Sequence, residues 1–211
     1  MEDYMTRSEL MQNYWRYYLM LEKKFLNTLT YVELSTQNFD TYSNEFAHLL
    51  QAIGAELDAF FKVYCGFNPT DRKTITDYAN FVLQDYPDIT TQEIEVQGYQ
   101  LSFIPFDGWD ASRASQSLNW WFSFDQIKHS RVANMTNASL KNVMHILGGL
   151  YLLEIKYLEK ITRGTDDFDI PDGESTIFDL KNWSYRHASL GNVVAQVIDE
   201  AIVIDDGSAF D

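Results

Sequence analysis

Val143-Met144-His145-Ile146-Leu147-Gly148-Gly149-Leu150-Tyr151-Leu152-Leu153-Glu154-Ile155-Lys156-Tyr157-Leu158 is the stretch on which the fold class turns. Its apolar side chains go nearly all round a helical wheel, and a helix that is hydrophobic on every side is a buried one. It is predicted as the central helix of a bundle, running from about Ala138 to Thr162 and stopped by Gly164. Gly148 and Gly149 cost helix propensity, about 1 kcal/mol each. The expected return is close approach of a neighbouring backbone. The most apolar run, Ile146 to Leu153, is eight residues, far below the roughly 20 needed to cross a bilayer.

Helices of the ordinary amphipathic kind surround this centre. Tyr14, Tyr18, Leu21, Phe25, Leu29 and Val32 recur at spacings of three and four, which predicts a first helix from Ser8 to Val32. Asn38, Asp40 and Ser43 read as a turn and a cap, and Phe46 to Tyr64 carries the apolar face of a second helix. A polar connection of that length lets the two pack antiparallel. After Thr70-Asp71 a shorter helix is expected to about Gln84, closed by Pro87, with Ile75, Tyr78, Ala79 and Val82 inward. The period then changes to two. Ile94 and Val96, then Tyr99, Leu101 and Phe103 across Gln97-Gly98, predict a β-hairpin at about 91–104. Helical spacing returns near Ser117 with Trp120, Trp121, Phe124 and Ile127, and a last helix is expected from Ser189 to Ala201. Thr165 to Asp179, with six acids and no base, reads as a loop. The prediction is a mainly α protein: a bundle of five to six helices with an inserted hairpin, one domain over 1–204 and an acidic tail over 205–211.

Composition narrows the chemistry. The 211 residues hold 31 acids against 16 bases, a net charge of −15, which disfavours binding nucleic acid or anionic membrane over the whole surface. A single cysteine, Cys65, rules out an internal disulfide framework and a zinc site built on several thiolates. Met1-Glu2-Asp3-Tyr4 has acids where a secretory signal needs a positive segment, so a cytoplasmic protein without membrane contact is expected. No phosphate-binding glycine loop, G-x-S-x-G elbow or H-E-x-x-H is present. Asp167-Phe168-Asp169-Ile170-Pro171-Asp172-Gly173 departs from a calcium loop because Pro171 stands where an oxygen ligand is required. His48, His129, His145 and His187 make no metal set by spacing. No metal and no cofactor is expected, and His145 reads as a packed, hydrogen-bonded core histidine. Glu154 falls in the middle of the most apolar face and requires a cation or donors there. Glu56 flanks the inward face of the second helix. Each acid reads as half of a structural ion pair or as support for a site.

The one concentrated cationic signal is Lys128-His129-Ser130-Arg131, directly after the aromatic face of Trp120, Trp121 and Phe124. Cations at a helix end complement its negative dipole. As a site, Lys128 and Arg131 would contact phosphate oxygens, His129 would donate or shuttle a proton, and Trp121 would stack a base.

The run Trp120-Trp121-x-x-Phe124-Asp125-x-x-Lys128-His129-x-Arg131 before a capped apolar helix, with a tyrosine-rich first helix and Glu56-Leu57-Asp58 and Lys62 on the second, resembles uncharacterised bacterial members of the HEPN-like superfamily. The resemblance spans about two-thirds of the chain and excludes the hairpin and the tail. It implies a helical bundle, a homodimer and a place in defence or toxin–antitoxin systems. Ribonucleases of that superfamily carry an arginine and a histidine separated by four to six residues. No arginine here has a histidine at that offset, so the nuclease dyad does not carry over. The expected function is therefore a HEPN-like binding or regulatory protein with a small basic site for RNA or a nucleotide phosphate. Two alternatives stand beside it: an RNA-acting enzyme using His129 with Lys128 and Arg131, and an acidic, antitoxin-like partner of a basic protein.

Overall fold

The first helix opens in a capping box. Thr6 Oγ1 accepts from the Glu9 amide at 3.3 Å while Glu9 Oε2 accepts from the Thr6 amide at 2.8 Å. The computed structural model describes residues 5–181, and the backbone of 194–198 and 201–205. The start therefore lies at Thr6 rather than Ser8. α1 (Arg7–Leu10) runs through a π-helical turn, Met11–Trp15, into α2 (Arg16–Thr28). Leu29 and Val32 fall beyond the helix, half-buried in the turn. Thr28 Oγ1 donates to the Phe25 carbonyl at 2.6 Å, and the β-branched Thr28, Thr30 and Val32 do not favour continuation.

α3 (Asn44–Tyr64) is capped by Ser43 as expected. α4 (Ile75–Asp85) is capped by Thr74 with Asp77, because Asn68 Oδ1 ties Thr70 into a separate turn. Ile75, Tyr78, Ala79 and Val82 are its buried residues. α5 (Ala114–Ser117) and α6 (Asn119–Ser130) follow, and α6 buries Trp120, Trp121, Phe124 and Ile127. α7 (Leu140–Thr162), capped by Ser139, is the central helix and packs principally on α3, then on α6 and α2. No helix among the described residues is long and apolar enough to cross a membrane.

β1 (Ile94–Val96) and β2 (Leu101–Phe103) form the predicted hairpin, with Ile94 opposite Phe103 and Gly98 at φ +77° in the turn. The acidic stretch departs from its expected form at its end. Phe178–Leu180 is a strand, β3, that pairs antiparallel with the other edge of β1 and gives the order β2-β1-β3. The loop before it is also tied down. Arg7 donates to the carbonyls of Phe168 and Ile170 and pairs with Asp172 at 2.7 Å, and Trp15 Nε1 donates to the Gly173 carbonyl at 2.7 Å. Glu22, 2% exposed, accepts from the amides of Thr176 and Ile177.

Two further expectations are corrected. Aromatic rings, not a neighbouring backbone, take the space beside Gly148 and Gly149. A Cβ on Gly148 would lie 2.7 Å from the Phe103 ring, and one on Gly149 would lie 3.5 Å from Trp120. Over the expected last helix, β4 (Val194–Ile198) pairs antiparallel with β5 (Ala201–Asp205). The β-branched Val194, Val197, Ile198, Ile202, Val203 and Ile204 favour extended backbone. Residues 189–193 and 199–200 of that expectation lie outside the described residues, as do His187 and the tail from Asp206. Asp205, the tail's first residue, ends β5.

Candidate ligand-binding cleft

The expected basic site does not assemble. His129 Nε2 pairs with Asp125 one turn back at 3.3 Å, with its side chain 71% exposed. Lys128 is exposed, its Nζ 5.5 Å from the Phe124 ring centre. Arg131 donates to Asn44 Oδ1 at 2.9 Å. Trp121 is 8% exposed, enclosed by Phe61, Trp120 and Phe124 at ring distances of 5.4–6.2 Å, so it offers no face to a base. The cations take the positions that the C-terminal dipole of α6 favours. The two supporting acids lie elsewhere. From Asn44, which Arg131 touches, Glu56 is a further ~18 Å along α3, and Glu154 is ~21 Å along α7 from Leu140. Both carboxyl groups are raised above the ordinary range, Glu154 strongly so, by burial and then by the charge of Glu56, and Glu56 by burial. Glu154 is 1% exposed, and neither oxygen has a hydrogen-bond partner among the described residues. The ion pair expected for it is absent there.

A cleft of about 440 Å³ lies instead where β2, the connection after it, the start of α6 and the first turns of α7 meet. Each wall has a local reason. β2 brings Ser102 and Phe103 because the register of the hairpin sets Phe103 beside Ile94, over Gly148. Trp120 is fixed by its Nε1 donating to the Pro105 carbonyl at 2.7 Å. The Ser139 cap starts α7 so that Lys141, Asn142 and His145 share the cleft side. Asn142 Nδ2 is committed to Ser123 and the Asn137 carbonyl, both at 2.9 Å, which leaves Oδ1 without a partner among the described residues.

His145 is the central group. Its ring lies 4.5 Å from Phe103, and neither nitrogen has a hydrogen-bond partner among the described residues. This corrects the expectation of a hydrogen-bonded core histidine. Burial, and then the charge of Lys141, pull it down to about 4, so at neutral pH it presents one N–H donor and one acceptor nitrogen. Facing it is the first turn of α6, preceded by Leu118, which has no capping side chain. The amides of that turn carry the partial positive charge of a helix start. Lys141 stands at the rim, exposed and in no ion pair among the described residues. Two acids also line the cleft. Glu93 is occupied by Ser102 and by Lys181, the latter at 2.9 Å, and Asp107 is exposed.

The arrangement suits binding of a small anion-bearing molecule: one cation, one helix start, one neutral imidazole and an aromatic wall. No described side chain orients His145 as a catalytic base would be oriented, and no group of three potential metal ligands occurs among the described residues. Sequence reasoning missed the cleft, although its signal existed. Lys141, Asn142 and His145 are three polar residues in the first turns of α7, ahead of the apolar run Ile146 to Leu153. Comparison with protein-family models, curated protein sequences and solved structures finds no match to this chain.

Proposed function

We propose that the protein is a binding component and not a catalyst, of the HEPN-like kind without a nuclease dyad, and that it takes a small phosphate-bearing ligand of mononucleotide size. The observation that carries this reading is the unpartnered, neutral His145 set between Lys141 and the uncapped start of α6 in a cleft of about 440 Å³. A volume of this order falls within the roughly 300–1,000 Å³ of small-ligand sites. The phosphate lies against the α6 amides and Lys141, and the planar part of the ligand lies along Phe103 and His145. The homodimer and the defence setting belong to the same reading and are tested apart from the ligand.

Calorimetric titration with orthophosphate, AMP and UMP at low and moderate salt tests it. Binding is expected for at least one nucleotide, weakened by at least about tenfold, or 1.4 kcal/mol, in Lys141→Ala and in His145→Ala. Binding that both variants leave unchanged, or none at millimolar ligand, contradicts the proposal.

A further inference from the structure

A second unusual site lies where α3, the π-helical turn and α7 meet. Glu154 on α7 is 1% exposed, and both its oxygens lack a hydrogen-bond partner among the described residues. The titratable groups that bear on it are Glu56 from α3, Tyr14 from the π-helical turn and Tyr18 from α2. From α1, α6 and β3 no charged group bears on it among the described residues. The charge that bears on it is that of a second carboxylate, Glu56, and no salt bridge to Glu154 occurs among the described residues. An ionised Glu154 in that place has neither counter-charge nor donors, which an apolar interior disfavours strongly. The helix facing it is irregular at this level. Tyr14 sits half-buried in the π-helical turn, edge-on to Phe60 at 5.1 Å, and single π turns within α-helices recur at functional positions.

We propose that Glu154 is a proton-operated latch: α7 seats against α3 and the π-helical turn while Glu154 holds its proton, and loss of that proton opens this seam. The step involves one bond. The carboxyl O–H breaks, the proton passes to water, and the carboxylate left behind draws hydration that the closed seam excludes. Glu56 and Tyr14, both half-buried, mark the side from which water enters. The sign follows from linkage. The closed form keeps its proton to higher pH than the open form, where Glu154 titrates near its ordinary value of 4.5. Closure is therefore fully present below that value and is lost as pH rises through the raised one, and the opening constant grows by up to about tenfold per pH unit.

Hydrogen exchange of the full chain between about pH 5 and 9, corrected for the intrinsic exchange rate, tests the latch. The wild type is compared with Glu154→Gln and Glu154→Leu. In the wild type, peptides covering 7–28, 44–64 and 140–162 are expected to lose protection with rising pH, and in both variants that slope is expected to vanish. Glu154→Leu removes the carboxyl without adding a polar group, so a folded reference remains even where the amide is not tolerated. Protection independent of pH in the wild type, or an equal slope in the folded variants, overturns the proposal.

Discussion

Glu22→Ala removes the acceptor that holds the end of the acidic connection onto α2. In the folded protein Glu22 Oε1 accepts from the Thr176 amide at 2.6 Å, the Ile177 amide at 2.9 Å, Thr176 Oγ1 at 3.0 Å and Ser175 Oγ at 3.1 Å. The hydroxyls rotate to other partners, and Ser175 Oγ already meets Tyr18 Oη at 3.0 Å. The two amides are fixed by the chain. Thr176 is exposed, so water can reach its amide, and the buried Ile177 amide keeps only a long contact to Ser175 Oγ at 3.4 Å. The loss is therefore that of about one buried donor, about 1–3 kcal/mol with a central value of about 2 kcal/mol. For a chain of this size that is a fall in Tm of about 4–8 °C. Glu22→Gln keeps an acceptor oxygen and is expected to lose less than half as much. Urea unfolding gives the global value, and hydrogen exchange of peptides over 173–181 shows whether β3 detaches first. A Glu22→Ala protein within about 1 kcal/mol of wild type, with 173–181 still protected, refutes the reasoning.

The two glycines of α7 are expected to behave oppositely in thermal unfolding. Gly148→Ala, whose Cβ meets the Phe103 ring at 2.7 Å, loses about 1–3 kcal/mol to overpacking. Gly149→Ala, with its nearest ring atom at 3.5 Å, is unchanged or gains up to about 1 kcal/mol of helix propensity. Trp121→Ala is expected to cost about 3–5 kcal/mol as a core truncation, whereas Lys128→Ala and Arg131→Ala each stay within about 0.5 kcal/mol by urea unfolding. His145 titrates below its ordinary value of 6.5, at about 4 in the folded protein. The unfolded chain takes up that proton first, so stability falls as pH drops from about 6.5 to 4, by on the order of 2–3 kcal/mol. A His145→Gln protein is expected to lack that part of the acid dependence in parallel melts.

Much of the fold was legible because its signals are local. The Ser43 and Ser139 caps, the three- and four-residue spacing of α2, α3 and α4, and the alternation across Gln97-Gly98 each need only a few neighbouring residues. What was not legible depends on distant partners. β3 reads as the end of an acidic loop until β1 offers it an edge, and the role of Glu22 exists only because 175–177, about 150 residues later, lies against it. The π-helical turn leaves no pattern in composition. For the site, the cluster of charge at Lys128–Arg131 is the conspicuous pattern in the sequence, and a dipole at a helix end already explains it. His145, between Met144 and Ile146, reads as a packing residue. The Phe103 ring that turns its side of α7 into a cleft wall comes from the hairpin, some forty residues earlier in the chain.

The central claim, a phosphate-type ligand held at His145 and Lys141, is tested most directly by following the imidazole resonances of the histidines through a pH titration with and without AMP. The account predicts that His145 alone shifts on ligand addition, and that its transition moves upward from about 4 as the bound anion favours the imidazolium. A ligand that moves His129 while His145 stays fixed contradicts it, and returns the binding site to the end of α6.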